Sequence, residues 1–409
     1  MRPDVVIFEP ELEGHRWEYV RHLLSTLATE DFGIQITFLL HDALAQRAQS
    51  FWDTGRERRS TVRVVPLPKH EQLRTVCRPL WLRAFRRWTL MVRYLRITGA
   101  QHWHYLYFDD IQLPMALGLR APRETTVSGL LFRPSVHYRE LGVVPGGIGE
   151  RMRDLRKALT YRLMLRHPAL GAVFSLDPFF PTFAARTFRG GWKVKGIPDP
   201  VPVPIDRLRA SSESSLVAPV PKDRVCLLLF GALTARKGIL QLLDALAGLS
   251  ETTASRLAVV LAGQVEDRLR SAVSKRVGSI GRGCQGLVLK LVDRHIDDDE
   301  LIALLVRCDW VVLPYQRFVG SSGVLTWAAG ARKPVIVQDY GLLGALVRRY
   351  ELGITVDTTN PSELGRVIGQ VVTESPRLDL RRVGEFLRDR TPETFARSIL
   401  AELASVLQY

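Results

Sequence analysis

Short apolar segments alternate with longer helical patterns along almost the whole chain, and this alternation limits the fold more than any other feature. In the first half, strand-like apolar runs occur at residues 5–8, 34–40, 62–67, 103–108, 126–132 and 172–176. In the second half they occur at 225–230, 258–262, 287–291, 310–313, 335–338 and 354–356. Apolar runs of this length between helices predict parallel sheets covered on both faces, which is an α/β fold.

A proline-rich segment near the middle of the chain marks a boundary between two domains. The chain has 409 residues, which suits two α/β domains better than one. Residues 197–204 contain four prolines, and proline continues neither a helix nor a central strand. We therefore expect an N-terminal domain over residues 1–200 and a C-terminal domain over 201–390. A last helical segment, 391–409, is expected to pack back toward the N-terminal domain.

Composition and cysteine content favour a globular protein of the cytoplasm. The chain is 46% hydrophobic and 24% charged, which is typical of a soluble domain. No apolar run reaches the roughly 20 residues that a spanning helix needs, and we expect no secretory signal. The four cysteines have no metal-ligand spacing, so they predict free thiols and no metal site.

Positive charge is concentrated in the first half of the chain. Residues 1–200 contain 30 Lys and Arg against 19 Asp and Glu, whereas residues 201–409 contain 27 against 23. Two helical segments, 74–96 and 151–166, mix arginine with Trp, Leu and other apolar residues. Such helices favour the anionic inner surface of a membrane, and an arginine-rich solvated face is the alternative. No nucleic-acid-binding module accompanies the charge, so we expect no nucleic acid as a partner.

The first candidate for phosphate binding follows the first strand of the second half. Residues 229–239 read LFGALTARKGI, so a strand ends at Gly231 and a short loop brings Arg236 and Lys237 to a helix. Cations beside the free N–H groups of a helix N-terminus can hold a diphosphate. The alternative is a solvated Arg-Lys pair on an ordinary loop.

A second loop of the same kind follows the strand at 310–313. Residues 314–324 read PYQRFVGSSGV, and the small residues at 320–323 open a predicted helix. Small residues let a phosphate approach the backbone, and serine donates from its N–H and hydroxyl groups. A plain serine N-cap is the alternative. Two such loops at successive strand ends favour phosphate binding.

The order of these motifs resembles the C-terminal domain of glycosyltransferase family four, the group 1 glycosyl transferases. The matching features are a strand, a G-x5-K-G segment, a proline-terminated strand, the small-residue loop with its helix, and residues 333–336, KPVI. The resemblance covers residues 222–375 and is loose before them. It implies a GT-B architecture, in which two Rossmann-like, doubly wound domains face each other across a cleft. It also implies sugar transfer from a nucleoside diphosphate with retention of configuration, without a metal or cofactor.

Family positions carried onto this chain give the candidate donor-binding residues. Lys237 matches the family's phosphate-binding lysine, residues 294–296 match the segment that frames the base, and 321–323 lie in the loop under the diphosphate and sugar. A UDP-sugar is favoured over a GDP-sugar as the donor. The full donor-binding set is Gly14, Gly231, Arg236, Lys237, Arg294, His295, Ile296, Gln316, Gly320, Ser321, Ser322, Gly323 and Val324.

The chain departs from the family pattern at three positions. Ala232 stands where an arginine usually follows the glycine of the first motif, and Arg236 can supply that charge. Val319 and Trp327 stand where the two glutamates of the family's E-x7-E motif bind hydroxyl groups of the sugar and ribose. Gln316 or Ser321 can take over part of those contacts. The chain therefore resembles a divergent member of the family.

Strand-end loops of the N-terminal half supply candidates for catalysis and acceptor binding. Gly14 and His15 follow the first strand, where the GT-B resemblance implies a loop close to the donor; a structural role is the alternative for His15. Asp109 and Asp110 can orient an acceptor hydroxyl or act as base, or else cap the next helix. The acceptor-side candidates are Arg133 and His137.

Together these features predict a glycosyltransferase that moves a sugar from a nucleoside diphosphate to a lipid-linked or polysaccharide acceptor at a membrane surface. Cell-surface glycan synthesis is the expected role, with the protein cytoplasmic and peripheral to the inner face of the membrane. Two alternatives remain open. One is a non-catalytic GT-B protein that binds a nucleotide or glycan, and the other is a GT-B epimerase that acts on the nucleotide sugar itself.

Overall fold

The computed structural model describes residues 4–12, 16–54, 61–143, 147–201, 221, 223–374 and 378–407. The chain divides into two compact units. The N-terminal unit contains Met1–His137, Pro145–Pro200 and Asp389–Tyr409, and the C-terminal unit contains Tyr138–Val144 and Val201–Arg388. Among the described residues, no helix is long and apolar enough to cross a membrane.

The N-terminal unit is built on a seven-stranded parallel sheet of order β3-β2-β1-β4-β5-β6-β7. The strands are rich in Val, Ile, Leu and Phe because both faces of the sheet are covered. Their bounds are β1 (Asp4–Glu9), β2 (Gln35–Leu40), β3 (Val62–Pro66), β4 (His102–Tyr105), β5 (Thr126–Leu131), β6 (Leu170–Ser175) and β7 (Val194–Gly196).

Helices cover both faces of this sheet, and a separate apolar core fills each face. The last helix of the chain packs on the first, where the ring of Tyr19 stacks on Phe395 at 5.0 Å. The helices are α1 (Arg16–Thr29), α2 (Asp42–Thr54), α3 (Lys69–Thr75), α4 (Leu80–Thr98), α5 (Gln112–Ala116), α6 (Ile148–Met164), α7 (Phe180–Thr187) and, from the C-terminus, α16 (Pro392–Val406).

The C-terminal unit has a six-stranded parallel sheet of order β10-β9-β8-β11-β12-β13. Its strands are β8 (Val225–Phe230), β9 (Leu257–Ala262), β10 (Val288–Val292), β11 (Trp310–Leu313), β12 (Val335–Gln338) and β13 (Gly353–Val356). Its helices are α8 (Ile239–Ala247), α9 (Glu251–Ala254), α10 (Asp267–Gly283), α11 (Asp298–Arg307), α12 (Gly323–Gly330), α13 (Gly341–Tyr350), α14 (Pro361–Thr373) and α15 (Leu380–Leu387).

The predicted fold class, two doubly wound α/β domains, is confirmed. Each of the twelve predicted strands is present, and the short β7 is the strand that apolar runs did not reveal. One helix prediction was wrong: the helical segment 74–96 is divided between two helices, α3 and α4. Proline 79 precedes α4 as its N-cap, and the preceding residues cannot stay helical against its ring.

Candidate functional site

The strand order of the C-terminal unit reverses between β8 and β11, and both predicted phosphate loops lie there. β8 and β11 are neighbours in the sheet, although the chain runs outward to β10 before it returns to β11. Loops that follow two such strands diverge and leave a crevice at the carboxyl ends, which is the usual ligand site of an open α/β sheet. Residues 231–238 follow β8 and residues 314–322 follow β11. The structure therefore brings the two motifs together.

Lys237 is the buried cation of this crevice. The residue is only 7% exposed, and its Nζ donates a hydrogen bond of 2.8 Å to the carbonyl oxygen of Phe230. Nζ also lies 5.2 Å from the ring centroid of Tyr315. Neither partner is a carboxylate, so the positive charge is only partly compensated. A buried ammonium in this state favours a bound anion.

Two glycines let the loop after β8 close around Lys237. Gly231 and Gly238 have φ angles of +87° and +72°, which residues other than glycine rarely adopt. A Cβ on Gly231 would lie 2.9 Å from Nζ of Lys237, and one on Gly238 would lie 1.8 Å from the carbonyl oxygen of Pro314. The two glycines of the G-x5-K-G segment are therefore required by packing, because the loop after β8 lies against Lys237 and against the backbone of the loop after β11.

Arg236 lies on an aromatic surface that the sequence analysis did not single out. Its guanidinium carbon is 4.8 Å from the ring centroid of Phe318 and 5.7 Å from that of Tyr315. The two rings meet edge to face at 5.2 Å. Arg236 itself is exposed. The crevice therefore combines one exposed cation, fixed by stacking, with one buried cation.

Gln316 joins the loops of this unit to one another. Its Nε2 donates to the carbonyl oxygens of Pro314 at 2.9 Å and Thr358 at 2.8 Å. Its backbone nitrogen donates to the carbonyl oxygen of Arg236 at 2.8 Å. Both amide hydrogens of Gln316 are therefore used internally, and its Oε1 is the atom that can accept from a sugar hydroxyl.

Of the two serines in the loop after β11, Ser322 is hydrogen-bonded within the protein and Ser321 is a candidate for contact with a ligand. Ser322 is the N-cap of α12 and accepts from the backbone nitrogen of Val324 at 3.3 Å, while its Oγ lies 3.0 Å from the Tyr315 hydroxyl. Ser322 is therefore a helix N-cap, which was the alternative interpretation of this loop. Ser321 and Gly323 are half-buried at the start of the helix, and Gly320 is buried. Ser321 remains the candidate for direct contact with a ligand.

Apolar residues stand at the two positions where the family resemblance leads us to expect glutamates. Trp327 is 7% exposed in α12, and Val319 is half-buried, with its carbonyl oxygen accepting from Leu342 at 3.1 Å. Neither side chain has a carboxylate that could accept hydrogen bonds from hydroxyl groups. Gln338, at the end of β12, donates to the carbonyl oxygen of Phe318 at 3.2 Å. Its buried Oε1 has no hydrogen-bond partner among the described residues.

The predicted base-framing segment lies at the same edge of the sheet, after β10. Arg294 forms an ion pair with Glu300, with Nη1 2.7 Å from Oε2, and its side chain is 54% exposed. His295 is exposed and Ile296 is half-buried. Because the Arg294 charge is already paired, the backbone and the exposed His295 side chain are the parts of this segment that can contact a ligand.

The N-terminal unit has its own switch point, between β1 and β4, and a buried charge network lies there. Glu9 is fully buried at the end of β1, and Arg16 pairs with both Glu9 and Glu11. Burial raises the pKa of Glu9, although Arg16 opposes the shift. The signal for Glu9, which was missed, is an acidic residue at the end of an otherwise apolar strand segment. The predicted residues Gly14 and His15 lie outside the described residues.

Two arginines of α4 point into this network. Arg87 is 1% exposed, and its Nε donates to the carbonyl oxygen of Thr75 at 2.9 Å while Nη1 lies 3.2 Å from Oδ2 of Asp110. Arg83 pairs with Asp110 at 2.8 Å and with Glu11 at 3.4 Å. Both arginines are therefore internal, and they do not belong to the exposed basic face expected for residues 74–96. Asp110 is held as their ion-pair partner.

Asp109 holds the loop after β5. Its carboxylate accepts from the backbone nitrogens of Phe132 at 2.9 Å and Arg133 at 3.2 Å. Burial raises the pKa of Asp109 to about 6, against the lowering effect of these two N–H groups. A carboxyl group with this pKa suits proton transfer near neutral pH. The capping alternative for Asp109 and Asp110 is wrong, because the N-cap of α5 is Ile111 and no side chain caps it.

The two acceptor-side candidates have different environments. Arg133 is exposed. His137 is 1% exposed, with Nδ1 2.6 Å from the carbonyl oxygen of Pro134 and Nε2 3.0 Å from Oδ2 of Asp177. Both ring nitrogens therefore face acceptors of the protein. His137 braces the loop after β5, whereas Arg133 is exposed to solvent.

Comparison with known proteins identifies the C-terminal unit by sequence. Residues 213–385 match the family described as Glycosyl transferases group 1. The matched range includes both loops of the crevice and the segment after β10. No curated protein matches the chain by sequence.

Solved structures share the fold over nearly the whole chain. Anabaena HepE in complex with UDP is 14% identical with a TM-score of 0.63, covering 98% of this chain and 100% of that one. A glycosyltransferase from Rickettsia africae is 12% identical with a TM-score of 0.63, covering 99% and 98%. Sucrose-phosphate synthase from Thermosynechococcus elongatus is 18% identical with a TM-score of 0.59, covering 100% and 98%. At these identities the likeness is one of fold.

Proposed function

We propose that the chain is a divergent GT-B glycosyltransferase, because residues 213–385 match the Glycosyl transferases group 1 family. In this proposal it moves a sugar from a nucleoside-diphosphate sugar to a lipid-linked or polysaccharide acceptor in cell-surface glycan synthesis. UDP is the favoured nucleotide, the configuration of the sugar is retained, and no metal takes part. One observation carries the proposal: buried Lys237 and exposed Arg236 lie together at the switch point of the C-terminal sheet, beside the bare backbone of Gly231.

The two cations would act on the leaving group. Negative charge develops on the leaving phosphate oxygen as its bond to the sugar breaks, and cations held in advance stabilise that charge most. Lys237 is held by the carbonyl oxygen of Phe230, and Arg236 is held by its aromatic surface. Helix α8 begins directly after this loop, and its free N–H groups favour a diphosphate as well.

The acceptor would be bound by the N-terminal unit, with Asp109 as the candidate base. A pKa of about 6 leaves Asp109 mostly ionised at neutral pH, yet more basic than an exposed carboxylate. It can therefore take a proton from an acceptor hydroxyl. Arg133 is exposed, its backbone nitrogen donates to Asp109, and its side chain is a candidate for contact with a phosphate of a lipid-linked acceptor.

Helix α6 is the proposed contact with an anionic membrane. Tyr161 and Met164 form its buried face. At 100° per residue, the opposite face carries large apolar side chains that are 39% to 81% exposed, flanked by arginines. An apolar face with basic flanks suits the interface of an anionic bilayer. We call this face the α6 stripe, and it consists of Ile148, Met152, Leu155, Leu159 and Leu163.

Replacement of Lys237 by methionine tests the donor site. The variant keeps most of the side-chain volume and removes the charge, so UDP affinity should fall roughly 10- to 100-fold, the usual contribution of a hydrogen bond to a charged group. Titration calorimetry with UDP measures the loss, and a Lys237→Arg variant should recover part of it.

The matched control is Lys275→Met, which removes an exposed cation of α10 on the same unit. It should bind UDP like the wild type. If Lys237→Met also binds UDP with wild-type affinity, the crevice is not the donor site.

The apolar residues at the glutamate positions favour a second candidate, a GT-B protein that binds a nucleotide sugar without transferring it. Val319 and Trp327 provide no acidic group for the sugar. Incubation of the protein with UDP-sugars and membrane extract distinguishes the candidates, because only a transferase releases UDP in proportion to glycosylated product. Product formed without an acceptor would instead indicate an epimerase.

A further inference from the structure

A small basic groove lies at the C-terminal end of α6. It has a volume of about 390 Å³ and is lined by Leu165, Arg166, Arg189, Gly190, Trp192 and Lys193. Three of these six residues are cations, and none is an acid. Trp192 is 70% exposed, so the groove offers a large aromatic surface to solvent beside its three positive charges.

The backbone of the groove is fixed by close packing. Gly190 has a φ of +86°, and a Cβ there would lie 2.3 Å from the carbonyl oxygen of Leu165, so this turn is packed tightly against the end of α6. Nζ of Lys193 donates to the carbonyl oxygen of His167 at 3.2 Å and lies 5.8 Å from the ring centroid of Trp192. Burial lowers the pKa of Lys193, which indicates a partly desolvated ammonium, and no carboxylate of the described residues offsets this shift.

The groove continues the line of the α6 stripe. Arg166 lies three residues after Leu163 and seven after Leu159, and its backbone nitrogen still donates to the carbonyl oxygen of Leu163. At the helical rotation of 100° per residue, Arg166 therefore lies on the same side as the stripe. When the stripe inserts into the acyl region of a bilayer, Arg166 lies at the level of the lipid headgroups, where tryptophan is also favoured.

We infer that the groove of Arg166, Arg189, Lys193 and Trp192 binds the phosphate of an anionic phospholipid headgroup when α6 lies on the membrane. The inference rests on the membrane association proposed above and adds a defined headgroup site to it. Arginine binds phosphate through paired N–H groups, and the lysine adds a third positive charge. The apolar stripe beside the groove favours a lipid over a free phosphate ion, because a soluble ion would gain nothing from it.

The test compares two double variants that remove the same charge. Arg166→Gln/Arg189→Gln removes two cations of the groove, and Arg151→Gln/Arg156→Gln removes two exposed arginines that flank the stripe. Each surface arginine contributes about fivefold to binding of an anionic membrane through the diffuse field, so both variants should lose about 25-fold on phosphatidylglycerol vesicles from this effect alone. The groove variant should lose more than this, because its headgroup site is also removed. The decisive probe is monomeric short-chain phosphatidylglycerol, which has no membrane field.

We expect the wild type and the flanking variant to bind this soluble lipid equally, and the groove variant to bind it about tenfold or more weakly. Equal binding by both double variants, or no binding by the wild type, would overturn the groove site. If inorganic phosphate displaced the bound short-chain lipid as effectively as further lipid does, the headgroup site would also be overturned, in favour of a free-anion site.

A third variant separates this inference from the proposal on which it rests. Leu155→Ser/Leu159→Ser removes apolar area from the stripe and leaves the groove intact. Undiminished vesicle binding by this variant would contradict the membrane proposal itself. Loss of vesicle binding in the stripe variant, with normal binding of soluble lipid in the groove variant, would contradict only the headgroup site. UDP binding should be unchanged in all three variants.

Discussion

Replacement of Arg87 by methionine should destabilise the N-terminal unit strongly. Arg87 is 1% exposed and contacts Thr75, Asp110 and Glu11. Removal of one partner from a buried ion pair costs about 3–5 kcal/mol, because the remaining charges keep their desolvation penalty. Both carboxylates retain Arg83, at 2.8 Å and 3.4 Å, so we expect the lower end of this range, about 3 kcal/mol.

Urea unfolding followed by circular dichroism measures this loss. The matched control is Arg397→Met in the same unit, because Arg397 pairs with Glu30 and the two side chains are 54% and 36% exposed. An exposed pair contributes about 0–1 kcal/mol. Equal losses in the two variants would refute the argument that the Arg87 network is buried and internal. Vesicle binding should be the same in both variants.

The loss in Arg87→Met should also depend on pH. Burial alone would raise the pKa of Glu11, but Arg87 and Arg16 outweigh it and hold the pKa below its usual value. A carboxyl group with a lowered pKa contributes stability above its unfolded pKa of about 4.5 and loses it as the pH falls. The difference between the wild type and the variant should therefore shrink below about pH 4.5. A difference that grows in acid would contradict the assignment.

Two further predictions concern a loop and the core. Gly238→Ala should weaken both UDP binding and stability, because its Cβ would lie 1.8 Å from the carbonyl oxygen of Pro314. The control is Gly33→Ala, which has nearly the same φ but open space around it, and it should lose only about 1–2 kcal/mol of stability. Similar losses in urea unfolding would contradict the crowding argument. Burial lowers the pKa of His102 and His104 to about 3. The unfolded chain therefore binds protons that the folded one does not, and the free energy of unfolding should fall by about 4 kcal/mol from pH 7 to pH 5, so a flat profile would contradict it.

The sequence alone was sufficient for the architecture and for the centre of the candidate donor site. Strands of a parallel sheet are buried on both faces, so each one is a continuous apolar run that can be recognised without knowledge of its neighbours. The loop from Gly231 to Gly238 was also visible, because its conformation depends on local spacing: two positive φ angles and one lysine within eight residues. A signal that is contained in one short segment can be recognised without knowledge of the tertiary structure.

Contacts between distant segments needed the structure. Arg87 meets Glu11 across 76 residues, and Gln316 meets Thr358 across 42. Nothing near Arg87 in the sequence indicates a buried ion pair, since an arginine between apolar residues is equally typical of a surface helix. The aromatic surface under Arg236 likewise depends on how the loop after β11 folds against the loop after β8.

The two basic helices illustrate this division most directly. The sequence of α4 and that of α6 both combine arginines with large apolar residues, and both predicted a membrane-facing surface. In the structure, α4 turns Arg87 into the protein, whereas α6 leaves five large apolar side chains exposed opposite its packed face. Periodicity determines that a helix has an apolar face and a charged one. Only the surrounding elements decide which face is covered, because burial depends on the atoms that pack against it.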